Sequence, residues 1–520
     1  MTPIPKTETA RSATQAKPDT PSAQPPLSMT KPAMPIASPP LSLKLPLLML
    51  TLGLLGLSAC APVPTLKPGA SLLPPEQLGL KQAKGELQPF GADAAKSWWT
   101  RFKDPQLDAL LARALAQSPS LAQVRARVER ASALVENALA SDKPLVGAGM
   151  DATYQRYPEH SLYPPPIAGS LRTMATVQAG ISYDWDFFGR HEAELNAALG
   201  QARAAEAESE AAQLMLAAQL TRSYLSLARV LAQKDLLAQQ LSQREQSLAL
   251  VRQRVAAGLD TSLEQRTAES PLPELRRQAW VLDEQAALLR QQLASLSAQS
   301  AEQLGTLKPE LPKPLSLQAA SNEGQSLGLD LLGRRPDVVA ARWRVEASTQ
   351  QLALARSQFY PNLNLSAFAG FSSIGLDQLL KAGSLQFGFG PSLRLPLFDT
   401  GRLRAQFKGS AAELDASVAA YNAAVLEAVR EASGQLSSLQ SLQRQQQEQE
   451  ALLGNARASR DLVAQRFNAG LGSKLALLNA QGSVLQQERQ SLELRGQTLE
   501  AQVGLIRALG GGWQDAATAQ

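Results

Sequence analysis

The sequence predicts a mixed α/β membrane protein made of two versions of one unit, each giving a β-hairpin to a membrane sheet and long helices beneath it. Three observations carry this. The chain repeats itself at long range. It holds paired segments of about ten residues in which apolar and small or polar residues alternate, as in membrane β-strands. Between Arg190 and Ala257 it has no proline and one glycine, Gly200, room for ~100 Å of helix at 1.5 Å per residue.

The first element is a leader. Residues 1–59 open with a stretch rich in Pro, Ser, Thr and Ala, which cannot bury enough apolar surface to fold; Met29 and Met34 are alternative starts. The run LPLLMLTLGLLGLSAC, residues 45–60, falls short of the ~20 apolar residues of a spanning helix. With Lys44 ahead of it, the run fits a secretory signal. Leu57-Ser58-Ala59-Cys60 is the pattern of a bacterial lipobox. There the cysteine sulfur takes a diacylglycerol, and cleavage leaves the cysteine as the new N-terminal residue. Cys60, the only cysteine in the chain, is therefore the expected lipid attachment site. The expected organisation is 1–59 leader and signal, 60–97 lipid-anchored extension, 98–305 first repeat, 306–329 linker, 330–513 second repeat and 514–520 tail.

Composition narrows the function. The leader holds five basic and two acidic groups, so the net +5 of the full chain falls to about +2 after processing, and no basic stripe points to nucleic acid. Only His160 and His191 are histidines. With the cysteine acylated, thiol catalysis and cysteine-rich zinc sites are excluded. No glycine-rich phosphate loop or Gly-x-Ser-x-Gly elbow occurs. The residues do not read as an enzyme, and no metal site is expected.

The repeat explains the rest. An offset of 217 carries Pro119, Arg125, Arg127, Val128, Glu129 and Pro144 onto Pro336, Arg342, Arg344, Val345, Glu346 and Pro361. An offset of 212 carries Gly189, Arg190, Arg254, Gly258 and Leu259 onto Gly401, Arg402, Arg466, Gly470 and Leu471. Each unit opens with a proline-started helix, for which Ser118 before Pro119 is a good N-cap. Strands follow. In 177–187, Val177, Ala179, Ile181, Tyr183, Trp185 and Phe187 share one face. In 387–397, Phe387, Phe389, Pro391, Leu393, Leu395 and Leu397 do the same. Their partners are 146–155 and 362–371. Four strands cannot close a membrane barrel, and open edges in lipid are not viable. Several copies must therefore combine.

In the long helix after the first hairpin, Leu220, Leu227, Leu241, Leu248 and Val255 keep a seven-residue spacing, a coiled-coil seam. A second seam, from Tyr224 and Leu231, fades into polar residues after Ala238. Each long helix turns at a matched tip, QRVAAGLDTSL and QRFNAGLGSKL. Gly258 and Gly470 sit where a helix ends in a left-handed residue. A second reading makes the tips a docking surface with Arg254 and Arg466 facing a partner.

Six stretches in order, WWTRFKDPQLDALLARAL, DWDFFGR, GRRPDVVAARWRVEAS, FYPNLNLSAFAGF, PSLRLPLFDTGRLRA and QRFNAGLGSKLALLNAQ, resemble the TolC-like outer-membrane factors, in the lipoprotein (NodT-like) branch of tripartite drug-efflux pumps. The resemblance covers roughly residues 98–513. It implies a homotrimer in the outer membrane, a twelve-stranded barrel continued by a helical tunnel across the periplasm. It also implies a periplasmic adaptor (membrane fusion) protein, an inner-membrane RND-type transporter, contact with outer-membrane lipid, and no cofactor. A type I protein-secretion duct shares the fold, and a purely structural coiled-coil lipoprotein would explain the helices but not the strands.

Two departures stand out. Where the family commonly has an aspartate on the inward face, REASGQLSSL reads Ser433-Gly434-Gln435. Glu431 or Tyr224 would narrow the pore instead, or simply pack. Ser270-Pro271-Leu272-Pro273 should kink or break the first returning helix.

Overall fold

The structure is a computed structural model that describes residues 69–74, 97–160, 162–315, 334–396 and 398–513, all within the unit running from Cys60 to Gln520. Cys60, the expected lipid attachment site, lies outside the described residues, as do Leu397, the leader and most of the extension and linker.

Helices α1 (Pro105–Gln117) and α2 (Pro119–Ser141) lead into strands β1 (Leu145–Arg156) and β2 (Leu171–Trp185). Helix α3 (Arg190–Ala256) descends and α4 (Ser262–Glu269) with α5 (Pro271–Ser297) returns. Then α6 (Pro336–Ser357), β3 (Asn362–Ile374), β4 (Leu385–Arg394), α7 (Thr400–Asn468) and α8 (Lys474–Ala508) follow the same order. At 67 and 69 residues, α3 and α7 each run ~100 Å. Among the described residues no helix is long and apolar enough to cross a membrane; a barrel makes no such demand.

The expected extents need three corrections. Strand β2 begins at Leu171, six residues before the clean alternation, because the whole of β1 pairs with it up to Arg156 opposite Leu171, and it ends at Trp185, short of Phe187. Strand β4 ends at Arg394, short of Leu395 and Pro396, since proline has no N–H for a ladder. Ser118 precedes α2 but does not cap it: its hydroxyl lies 2.8 Å from that of Ser120. The break at Pro271 is small. Ser270 keeps helical φ/ψ and donates its N–H to the Arg266 carbonyl at 3.0 Å, and proline is tolerated in a first turn.

The strands form one antiparallel sheet in the order β1-β2-β3-β4. Its register sorts the side chains. Val146, Ile181, Ala367 and Phe389 make one row across the sheet, on a face shared by Met150, Val177, Phe371 and Phe387. The next row, Gly147, Gly180, Phe368 and Gly388, lies on the opposite face. There Thr176 meets Ser372 at 3.1 Å, Asn364 donates to Asp184 at 2.6 Å, and Gln386 donates to Gln178 at 3.3 Å. Phe368 covers Gly388, where any Cβ would come within 2.8 Å of its ring. One face is apolar and exposed, the other small and polar. Among the described residues the outer edges of β1 and β4 have no partner strand.

The main apolar core lies midway along α3, against the C-terminal end of α8. Leu220, Tyr224 and Leu227 of α3 pack with Leu107 and Leu111 of α1, Leu293 of α5, and Leu499, Val503 and Ile506 of α8. Toward the tips it gives way to amides. Buried Gln243 of α3 donates to the Leu478 carbonyl at 2.7 Å, and buried Gln449 of α7 donates to the Gln487 carbonyl at 3.0 Å. Both reach main-chain oxygens of α8.

Candidate functional site: the paired helix tips

Two turns join descending to ascending helices, and they share one backbone. Gly258 has φ 73° and Gly470 has φ 74°, the left-handed region that side chains with a Cβ resist. Gly258 donates to the Val255 carbonyl at 3.0 Å and Leu259 to that of Arg254 at 2.9 Å. Gly470 donates to Phe467 at 3.0 Å and Leu471 to Arg466 at 2.9 Å. This is the Schellman closure, which satisfies carbonyls orphaned at a helix end. Each returning helix is then capped by its own hydroxyl. Thr261 accepts from the Leu263 N–H at 3.2 Å, with Glu264 reaching back to the Thr261 N–H at 2.9 Å, and Ser473 accepts from Ala476 at 3.1 Å.

The side chains differ. Arg254 grips Asp260 with two hydrogen bonds of 2.8 and 2.9 Å, and this pairing holds the Asp260 carboxyl below the usual carboxylate range. At the equivalent place in the second tip stands Gly472, so exposed Arg466 has no ion pair among the described residues. Leu259 and Leu471, 67% and 78% exposed, project beside them. Each tip therefore offers a leucine to solvent, but only the second offers an unpaired guanidinium. Sequence reasoning missed Asp260; the repeat offset that aligns it with Gly472 was the signal that could have found it.

The other two candidates lie in packed surroundings. Tyr224 is 1% exposed and donates its hydroxyl to Asp104 at 2.6 Å; burial first, then that hydrogen bond, raises its pKa. Asp104 also caps α1, accepting from Gln106 at 2.9 Å. Glu431 accepts from Arg335 at 3.1 Å and pairs with Arg507. Arg335, itself buried, also holds Asp337 at 2.7 Å and the Ala508 carbonyl at 3.0 Å. Burial and the neighbouring Arg222 and Arg335 lower the Arg507 pKa. Within the protomer both residues tie helices together. Among the described residues no cluster of His, Cys, Asp and Glu could hold a metal.

Comparison with known proteins gives a consistent picture. The family model described as outer membrane efflux protein matches residues 110–299 and 327–511. The multidrug resistance outer membrane protein MdtP of Escherichia coli (strain K12) is 32% identical over 469 residues, 88% of this chain and 94% of its own. The fusaric acid resistance protein FusA of Burkholderia cepacia is 37% identical over 316 residues, 60% of this chain and 59% of its own. Among solved structures, the outer membrane protein VceC of Vibrio cholerae is 31% identical, with a TM-score of 0.73 over 81% of this chain and 99% of that one.

Proposed function

Since the chain belongs to the outer membrane efflux protein family, we propose that it is the exit duct of a tripartite pump moving small toxic compounds across the outer membrane. The observation that carries this is the sheet. A four-stranded sheet with one exposed apolar face, one polar face and two bare edges satisfies its backbone in lipid only when neighbouring copies close it. Three copies give a twelve-stranded barrel, with the apolar face to lipid and the polar face to the lumen. The long helices continue it as a periplasmic tunnel, and the tips, ~100 Å away, meet the adaptor that links the duct to an RND-type inner-membrane transporter. Cys60 carries the lipid. The duct has no cofactor and no chemistry of its own.

Deleting the protein is expected to raise sensitivity to several unrelated amphipathic toxicants together, with the same defect on deleting its transporter. Loss of one secreted protein with unchanged sensitivity would instead identify a type I secretion duct. In the sheet, Phe389→Arg places a charge on the lipid face and costs about 2–4 kcal/mol at mid-bilayer, read as loss of heat-resistant trimers. A folded monomer in detergent would contradict the closed barrel. Cys60→Ser is expected to leave an unprocessed precursor, and mass spectrometry of the mature N-terminus checks it.

A further inference from the structure

The polar face of the sheet carries one aromatic side chain among the described strands, Phe368. Its neighbours on that face are small: Ser366 and Gly370 on β3, Gly180 on β2, Gly388 and Gly390 on β4. The other aromatic residues of the four strands, Tyr154, Tyr183, Trp185, Phe371, Phe387 and Phe389, fall on the apolar face. Charge is absent around Phe368 as well. The row holding it lies between the rows Gly149–Gln178–Gly370–Gln386 and Leu145–Ser182–Ser366–Gly390, and none of these has an Asp, Glu, Lys or Arg. Asp151 bounds this stretch on one side and Asp184 on the other. From Thr176, opposite Asp151, to Asp184 is ~27 Å along β2.

The ring is laid flat against the sheet. Phe368 Cε1 and Cζ stand 2.8 and 2.9 Å from the point where a Cβ of residue 388 would lie, closer than packed carbons approach. Any residue but glycine at 388 would therefore lift the ring. Phe368 is still 43% exposed. One side of it is backed by Gly388, and the rest is open.

In the twelve-stranded barrel proposed above, this face lines the lumen, and three copies put Phe368 at one level. Strands ~4.8 Å apart and tilted by ~40° give a backbone diameter of ~24 Å. Rings lying on the wall of such a lumen leave it open, so they act as contacts rather than as a plug. A flat aromatic molecule in this uncharged stretch can lay its own ring on one of them, and a cationic one gains further attraction. A single exposed contact is weak. Passage needs that, since binding must favour entry without preventing exit.

We propose that Phe368 is a specificity-determining contact of the duct, a lumenal ledge for compounds with a flat aromatic ring, and that Gly388 is the positioning residue that keeps the ledge flat. This rests on the barrel and efflux reading above.

Cells lacking the native protein and supplied with each variant test it, challenged with ethidium, a flat aromatic cation, and with dodecyltrimethylammonium, an aliphatic cation of the same charge. Phe368→Ala should lower resistance to ethidium relative to dodecyltrimethylammonium by about fourfold, the weight of one aromatic contact. Phe368→Trp should keep the ratio, whereas Phe368→Leu, apolar but not aromatic, should lose it. Gly388→Val should reduce the ratio with Phe368 still present. Heat-resistant trimers should persist in the Phe368 variants. An unchanged ratio in Phe368→Ala, or equal losses for both compounds, would overturn the proposal, because the ring would then only shield Gly388. The barrel beneath it is decided separately. Ser366→Cys should react with a membrane-impermeant thiol reagent and Ala367→Cys, on the lipid face, should not, as read by peptide mapping. The reverse pattern, or an unaltered protein that confers resistance to neither compound, would overturn the proposal through the barrel and efflux reading instead.

Discussion

The two tips are the same turn with different faces. Backbone hydrogen bonds at 254–259 and 466–471 agree to within 0.1 Å, and the glycines differ by one degree in φ. Yet Asp260 occupies Arg254 in the first tip, while Gly472 leaves Arg466 unpaired in the second. Backbone closure is demanded by orphaned carbonyls at any helix end, so both copies keep it. Surface charge is not demanded by folding, and there the copies differ. A partner docking at both tips would meet two related but unequal surfaces.

The largest expected effect breaks what the tips share. Gly258→Val with Gly470→Val forces β-branched residues into left-handed backbone, at a cost of about 1–2 kcal/mol per site. Trimers and barrel should persist while adaptor crosslinking and efflux are abolished; normal crosslinking would show that the tips are not the docking surface. Next comes the charge that distinguishes them. Arg466→Glu should weaken adaptor capture by roughly tenfold, as loss of a desolvated charge contact does. Gly472→Asp should imitate it by giving Arg466 the partner Arg254 already has. Arg254→Ala should do less. Equal losses from Arg254→Ala and Arg466→Ala, measured by crosslinking yield, would erase the distinction.

A smaller effect is expected at the returning helices. Pro271→Ala should merge α4 and α5 and change stability by under about 1 kcal/mol, since Ser270 is already helical; a large shift in melting temperature would mean the break holds strain. The smallest effect is that of acid. Asp260 titrates below its unfolded value near ~3.9, so the Arg254–Asp260 pair supports the first tip above that pH and is lost as pH falls through the lower folded value. Exchange of the Leu259 amide should therefore quicken below about pH 4, while that of Leu471 follows only the intrinsic rate.

Whatever depends on local period or on the repeat was legible in the sequence. The limits of α3, the four strands and the left-handed glycines all follow from residues a few positions apart. Strand ends were less so, because Arg156 opposite Leu171 is a matter of partner length rather than alternation. The polar contacts were not legible at all. Tyr224 with Asp104, Arg335 with Glu431 and Arg507, and Ala70 with Asp415 join residues from ninety to several hundred positions apart. No spacing rule connects them, and only the folded arrangement of α1, α3, α6, α7 and α8 brings them together.

The amides between the lower helices have a mechanical meaning. Gln243 and Gln449 grip carbonyls of α8, and a carbonyl is the same on every residue. One turn along, ~5.4 Å away, the helix offers another. A carboxamide is thus indifferent to register, whereas the interdigitated leucines around Tyr224 fit one register only. Slipping α8 past these two main-chain contacts would forfeit less packing than slipping it past the leucines around Tyr224.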